Sequence, residues 1–408
     1  MATERRLLLA SALMLFLELA LIRWLGANVV HLSYFTNFVL LGSFLGIGLG
    51  FLLARTSHSA LRWSPLVLAT LVALVLLVPV RINRASDQII YFTSTDPTGP
   101  PAWVTLPLIF AAVAAALLGP AEVVGRCFAK LAPLDAYRLD LLGSLTGIAA
   151  FTALSFLRSP SFVWGAMVAA AFLVLLRPKI PLPAAAAALA MVGLLVFESA
   201  GAGVSWSPYY KVQTDEVPGA NGTDQLRISV NGVPHQVMRS ARLKLLEEPQ
   251  YGLPYERFAG NRLGRVLVVG AGSGSDVAIA LAKGAQHVDA VEIDPRILQI
   301  GEQRHPDHPY QNPRVSTYIN DGRAFLQQSH NKYDLILFAL PDSLVLVNGA
   351  SSIRLESYLF TKEAVASARD HLAPGGGFAM YNYYREDRLI QRLGGTVADV
   401  FGHDPCVD

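Results

Sequence analysis

The chain has 408 residues, of which 52% are hydrophobic and only 16% charged; with a mean hydropathy of +0.39 it is too apolar for an ordinary soluble protein of this length. A net charge of +2, with no Lys/Arg-rich run and no zinc-knuckle spacing, argues against a nucleic-acid partner. Two distant cysteines, Cys127 and Cys406, are too few for a disulfide framework or a thiolate metal cluster and leave the redox compartment open.

From the N-terminus, seven apolar runs lie near 7–26, 34–54, 63–81, 103–121, 138–157, 160–177 and 181–199. Each approaches the roughly 20 residues that a helix needs to cross a hydrocarbon core, so residues 1–202 read as a multi-span helical membrane domain. Arg5 and Arg6 before the first run fit a signal peptide, but Glu18 and Arg23 interrupt it and no small-residue cleavage site stands out, so it is kept as a span. Arg5, Arg6, Arg55, Arg62, Arg126, Lys130, Arg177 and Lys179 fall on alternate loops, which places the N-terminus in the cytoplasm. Seven crossings from that side would leave the rest of the chain outside. One segment is therefore expected to be re-entrant, or two short ones to form a hairpin, with Ser159-Pro160-Ser161 and the Pro181/Pro183 pair as the places for irregular backbone.

Charge inside such runs is costly, about 2.5–3.5 kcal/mol at a helix centre. Glu18, Arg23 and Asp140 are each expected to face a partner, as structural pairs or along a substrate or ion pathway; Asp140, beside Tyr137 and Arg138, also fits an interfacial position. Gly42, Gly46, Gly48, Gly50, Gly143 and Gly147 supply small-residue faces for close helix packing.

Near residue 203 the composition turns polar. Alternating apolar residues flank Asn231-Gly232, a pair suited to a type I′ turn, so 203–240 reads as a small antiparallel β module. A partly helical connection carrying Glu247, Glu248, Tyr255 and Glu256 completes a segment 203–262. Residues 263–408 then alternate strands near 265–270, 287–292, 314–318, 333–338 and 376–381 with helices near 275–284, 295–304, 322–329, 356–372 and 385–393. That is the pattern of an α/β Rossmann-like, doubly wound sheet, whose ligands bind beyond the carboxyl ends of the strands. Only about fifteen residues follow the last helix, so the sheet is expected to lack an antiparallel edge, through a truncated chain end or an edge covered by a partner.

The loop after the first long strand holds the chemistry. Gly270 permits a tight turn, Gly272 lets backbone approach a ligand, and Gly274 brings the next helix close, while Glu292 ends the following strand at a spacing suited to ribose hydroxyls. A glycine triplet alone also fits NAD. Glu292-Ile-Asp294-Pro and Asn320-Asp321-Gly322-Arg323 favour a single adenosine instead, with an acid at 321 accepting from an adenine amino group. His305 and His308 are paired imidazoles in a proline-rigid loop and do not read as a metal site; no metal is expected. No Gly-x-Ser-x-Gly, HExxH or Gly-Lys-Ser/Thr motif is present, which removes serine hydrolase, zinc protease and ATPase readings.

Gly270 to Ser275, Val291-Glu-Ile-Asp294, Asn312-Pro-Arg-Val315, Asp321-Gly322 and Tyr333-Asp-Leu-Ile336 together resemble the spermidine synthase (polyamine aminopropyltransferase) family, over about residues 205–383. Its catalytic domain has the S-adenosylmethionine methyltransferase fold. Ser207-Pro208-Tyr209 and the stretch from Asn231 to Gln236 resemble that family's β module, and Glu18 and Arg23 with the glycine-rich second span are similar to its membrane-fused bacterial members. The resemblance implies S-adenosylmethionine or its decarboxylated form as cofactor and a polyamine or other small amine as acceptor. It further implies a lipid bilayer as partner, a homo-oligomer as one possible state, and a multi-pass protein of a bacterial-type inner membrane with a cytoplasmic catalytic domain.

By the same resemblance the cofactor residues are Gly270, Gly272, Ser273, Gly274, Glu292, Asp294, Asp321 and Gly322, and the substrate residues Tyr209, Gln236, Tyr255, Glu256 and Tyr358. Two departures bear on the reaction. Ser273 stands where the family's loop carries an aspartate, and Ala339-Leu-Pro-Asp342-Ser343 replaces its Asp-Ser-Ser-Asp-Pro. A missing acid no longer repels the carboxylate of intact S-adenosylmethionine, so methyl transfer stands beside aminopropyl transfer. Asp342 is the candidate base, with a turn or capping aspartate as its alternative; Glu356 and Tyr358 are placed to share the role. Tyr381 and the aromatics after it either line an acceptor pocket or pack a sheet edge. A transporter or sensor with a non-catalytic nucleoside- or polyamine-binding domain is the competing function.

Overall fold

The computed structural model describes residues 2–34, 36–57, 59–82, 97–219, 224–257, 263–339, 359–381 and 387–407. It separates into two compact units, the first built on Met1–Gln213 with Val230–Val233, the second on Thr214–Ser229 and on the chain from Pro234 onward.

The first unit is helical: α1 Thr3–Asn28, α2 Val30–Tyr34, α3 Thr36–Leu53, α4 Ser64–Leu77, α5 Ala102–Phe128, α6 Pro133–Phe156, α7 Ser161–Leu175 and α8 Leu182–Ser199. The seven longer helices coincide with the seven apolar runs. Helices α1, α5, α6 and α8 are long and apolar enough to cross a membrane, by length and composition; the other three apolar helices are shorter. Side chains Leu7, Leu13, Leu17, Leu21 and Leu25 of α1 are buried against its neighbours. Outward, Leu142, Leu145, Leu189 and Phe197 are exposed, the reverse of the polar exterior of a soluble bundle. Glycine sets the spacing: a Cβ at Gly143 would meet Leu8 backbone and one at Gly147 would collide with the Ala12 carbonyl.

The prolines expected to mark irregular backbone lie at the edges of non-helical breaks, the first near Arg158 at φ 56°, and lead into the helices that follow. Pro160 and Pro181 occupy the positions just before α7 and α8 and Pro183 lies in the first turn of α8, where a missing N–H costs nothing. Among the described residues, the prolines inside a helix are Pro107 and Pro120 of α5. Charges are largely partnered. The Arg23 guanidinium lies 5.2 Å from the Trp164 ring centroid and 5.4 Å from that of Trp206 and donates to the Ser207 carbonyl. Glu198 pairs with Lys211 and accepts from Trp24 Nε1 at 2.8 Å and Ser161 Oγ at 2.9 Å. Asp140 accepts from Ser11 Oγ at 2.5 Å. Glu18 is buried, and its Oε1 has no partner among the described residues.

The β module follows as β1 Val204–Trp206, β2 Lys211–Pro218, β3 Asp224–Val230 and β4 Val233–Met238. Asn231 and Gly232, at φ 51° and 75°, make the left-handed turn that their identity demands. In the second unit, α9 Ala241–Glu247 and α10 Leu253–Glu256 lead to a five-stranded sheet. Its strands are β5 Arg265–Val269, β6 His287–Glu292, β7 Val315–Ile319, β8 Tyr333–Ala339 and β9 Leu372–Tyr381, ordered β9-β8-β5-β6-β7. All the described pairings in this sheet are parallel.

Because a parallel sheet is covered on both faces, β5 and β8 are apolar at every position of their buried stretch. Val266, Val268, Leu335 and Leu337 pack on one face, Leu267, Val269, Ile336 and Phe338 on the other. Helices α11 Ser275–Ala282, α12 Pro295–Arg304, α13 Gly322–Gln328, α14 Lys362–Asp370 and α15 Asp387–Phe401 connect and cover them. Helix α15 runs beyond the expected end at 393 because Leu393 and Val400 are buried on one side of it, overriding the Gly394-Gly395 pair. The chain leaves β5 outward through β6 and β7 and then returns to β8 on the other side of β5. That reversal opens a crevice at the carboxyl end of β5.

Candidate functional site

The loop at 270–274 leaves β5 into this crevice, and Gly270, Gly272 and Gly274 have φ of 80°, 58° and 101°. Only glycine takes such a succession without strain. Gly270 and Ala271 donate their N–H groups to the Val291 carbonyl at 2.9 and 3.0 Å, fixing the loop to the neighbouring strand. Glu292, at the end of that strand, clamps it from beside: Oε2 accepts from Gly272 N at 2.7 Å and Oε1 from Asp294 N at 2.9 Å. Each oxygen keeps a further lone pair for a ligand donor. Burial pushes the Glu292 carboxyl up to about 7, the two backbone N–H groups pulling against it and the Asp294 charge adding to it.

Gln236, from β4, holds the loop on another side, its Oε1 accepting from Ser273 N at 3.2 Å and Ser273 Oγ at 2.8 Å. Its Nε2 is buried with no partner among the described residues, a donor pair free for a ligand. Tyr310 ties the loop from below, its hydroxyl donating to the Gly272 carbonyl at 2.8 Å and that of Ala271 at 3.1 Å. Gly301 of α12 leaves room for the Ser273 carbonyl, where a Cβ would collide.

Other expected residues do structural work. Asp294 caps α12, accepting from Arg296 N at 2.8 Å and Ile297 N at 3.3 Å, and its fully buried Oδ2 has no partner among the described residues. Asp321 caps α13 through Ala324 N at 2.9 Å, and Gly322 lies so close to Val269 that a Cβ would collide with its Cγ1. Tyr255 is buried, its hydroxyl without a partner among the described residues, whereas its neighbour Glu256 is exposed. Tyr209 belongs to the first unit, in a turn whose Tyr209 N donates to Ser207 Oγ at 3.1 Å. Asp342, Glu356 and Tyr358 lie outside the described residues.

Two groups escaped the spacing argument. Tyr310 follows the His305 loop, where the imidazoles drew attention; His305 is itself fully buried, pushed down to about 4 chiefly by that burial, and accepts from Asp307 N at 3.1 Å. Asp276, in the first turn of α11, drew no notice in the sequence, yet its carboxylate accepts from the Tyr381 hydroxyl. The assembly, a backbone cradle with a diol-sized carboxylate and idle amide donors, is equipped to hold a nucleoside.

Residues 256–393 match the spermine/spermidine synthase domain. The polyamine aminopropyltransferase of Alkaliphilus metalliredigens is 38% identical over 80 residues, 19% of this chain and 28% of that one. That of Agathobacter rectalis is 31% identical over 132 residues, 31% and 43% respectively, and that of Prochlorococcus marinus 27% over 158, 35% and 52%. The chain thus spans about half the length, or less, of these curated relatives. Among solved structures, spermidine synthase from Thermotoga maritima aligns with a TM-score of 0.36 at 15% identity, covering 48% of this chain and 63% of that one.

Proposed function

We propose, from the premise that the C-terminal part of this chain is a spermine/spermidine synthase domain, that the protein is a membrane-anchored transferase. It binds S-adenosylmethionine or its decarboxylated form and passes a methyl or aminopropyl group to a small amine. The observation that carries this reading is the clamp of Glu292 on the loop at Gly272, with the unpaired Gln236 Nε2 beside it. Glu292 receives the ribose hydroxyls, the glycine backbone admits the chain that bears the sulfonium, and the acceptor nitrogen attacks the carbon attached to sulfur. A C–N bond forms as the C–S bond breaks, its electron pair stays on sulfur, and the amine proton leaves to a base, for which Asp342 is the candidate.

Ser273 donates to Gln236 where a carboxylate would otherwise face the ligand. This supports intact S-adenosylmethionine alongside the decarboxylated form. Calorimetry on the full-length protein in detergent, with both compounds and methylthioadenosine, tests the reading. Micromolar binding of at least one is expected, weakened at least tenfold by Glu292→Ala. No affinity for any of them, or an unchanged affinity in the variant, overturns the proposal. Turnover on diamine acceptors separates the transferase from a sensor, which binds without product.

The apolar exterior of the helical unit, with Leu142, Leu145, Leu189 and Phe197 turned outward, supports insertion in a bacterial-type inner membrane. There the nucleoside-binding part is assigned to the cytoplasm, where such cofactors are made.

A further inference from the structure

A second group of side chains gathers around Asp276, in the first turn of the helix that follows the glycine loop. Asp276 accepts a hydrogen bond from the Tyr381 hydroxyl. The Tyr381 ring packs edge-on against Tyr251 at 5.0 Å between centroids. Tyr255, 5% exposed, has a hydroxyl with no partner among the described residues. Burial, and next to it the Asp276 charge, push the Tyr255 phenol well above its ordinary value, so the two groups are electrostatic neighbours.

Charge accounting singles out Asp276. The nearby cation Lys244 is already committed, its Nζ 2.9 Å from Glu248 Oε1 and 4.1 Å from the Tyr251 ring centroid. Arg239 is likewise paired with Glu247 at 3.1 Å and Glu248 at 2.8 Å. Among the described residues, the side-chain hydrogen bond that Asp276 receives comes from a neutral phenol. A carboxylate surrounded by protein without a cation in contact is costly; burial raises its pKa, with the Tyr381 hydrogen bond and the Lys244 charge pulling back. Asp276, Tyr251 and Tyr381 nevertheless stay partly exposed. The Lys244 ammonium resting on Tyr251 shows that these rings accept a cation.

We infer that Asp276, with the hydroxyls of Tyr255 and Tyr381 and the ring of Tyr251, is a subsite for an alkylammonium group of the ligand, supplying the acid that the glycine loop lacks at Ser273. The ammonium donates to the Asp276 carboxylate and the Tyr255 oxygen, and the aromatic faces complete its surroundings. This rests on the nucleoside reading above for its neighbour, and two sources fit: the aminopropyl arm of decarboxylated S-adenosylmethionine or the acceptor amine.

The test is calorimetry on the full-length protein in detergent with methylthioadenosine, which has no ammonium, with decarboxylated S-adenosylmethionine, and with 1,4-diaminobutane alone and after methylthioadenosine. Asp276→Asn is expected to weaken at least one ammonium ligand tenfold or more while leaving methylthioadenosine within twofold. The ligand affected names the source, arm or acceptor. Tyr255→Phe provides a second reading: removing an unpartnered buried hydroxyl leaves Tm unchanged or higher, yet weakens the same ligand at least threefold. Ammonium ligands that keep their affinity in both variants, or methylthioadenosine weakened in parallel, overturn the subsite. If methylthioadenosine fails to bind the unaltered protein while the diamine binds through Asp276, the nucleoside reading falls and the subsite stands. If nothing binds, both fall.

Discussion

Gly272 carries two constraints at once. Its φ of 58° costs an L-residue about 1–2 kcal/mol, and an added Cβ would stand 3.0 Å from Gln236 Oε1. Gly272→Ala is therefore expected to leave the sheet folded and to reduce nucleoside affinity about tenfold, read by calorimetry; an unchanged affinity would show that the loop does not contact the ligand. Glu292 gives a pH signature. Its folded pKa of about 7 lies above the ordinary 4.5, so between those values the native state holds more protons than the unfolded one and the ligand-free protein loses stability as pH rises. The ribose requires the carboxylate form. Methylthioadenosine should accordingly raise Tm more at pH 8 than at pH 6, and an equal shift at both would argue against Glu292 as the receiving group.

At the scale of elements, β6 carries a fully buried aspartate that no ligand argument needs. Asp289 accepts from Arg265 Nε at 2.9 Å and from the Tyr333 hydroxyl at 2.8 Å, tying β5, β6 and β8 together. Asp289→Ala leaves the buried phenol without its acceptor, a loss of about 1–3 kcal/mol, measurable as a lowered Tm with nucleoside affinity intact below the transition. In the helical unit, α1 and α6 meet through glycine. Gly147→Leu drives a side chain into the Ala12 backbone and is expected to yield aggregated protein on size exclusion; a monodisperse, stable variant would show that the helices can separate without penalty.

For the whole molecule, the open quantity is sidedness. The basic residues on alternate loops lead us to expect the N-terminus inside, and the proposed cofactor leads us to expect the second unit inside as well. Reporter fusions at the N-terminus and after Asp408 should both report cytoplasm; a C-terminal reporter active only outside would refute the assignment of the nucleoside chemistry to the cytoplasm.

Much of this was written locally. The seven apolar runs became seven helices, and the uninterrupted apolar stretches of β5 and β8 became strands buried on both faces, because burial pattern and backbone period are properties of neighbouring residues. The turns at Asn231-Gly232 and in the glycine loop followed for the same reason: a residue's own Cβ, or its lack, decides φ. Spacing could not show that Asp294 and Asp321 each spend an oxygen capping a helix. Nor could it join Gln236 to Ser273, Tyr310 to the loop carbonyls, or Asp276 to Tyr381 across 105 residues of chain. Those pairings depend on how segments distant in sequence pack together in the fold, and a hydrogen bond between such residues leaves no period in the sequence to read.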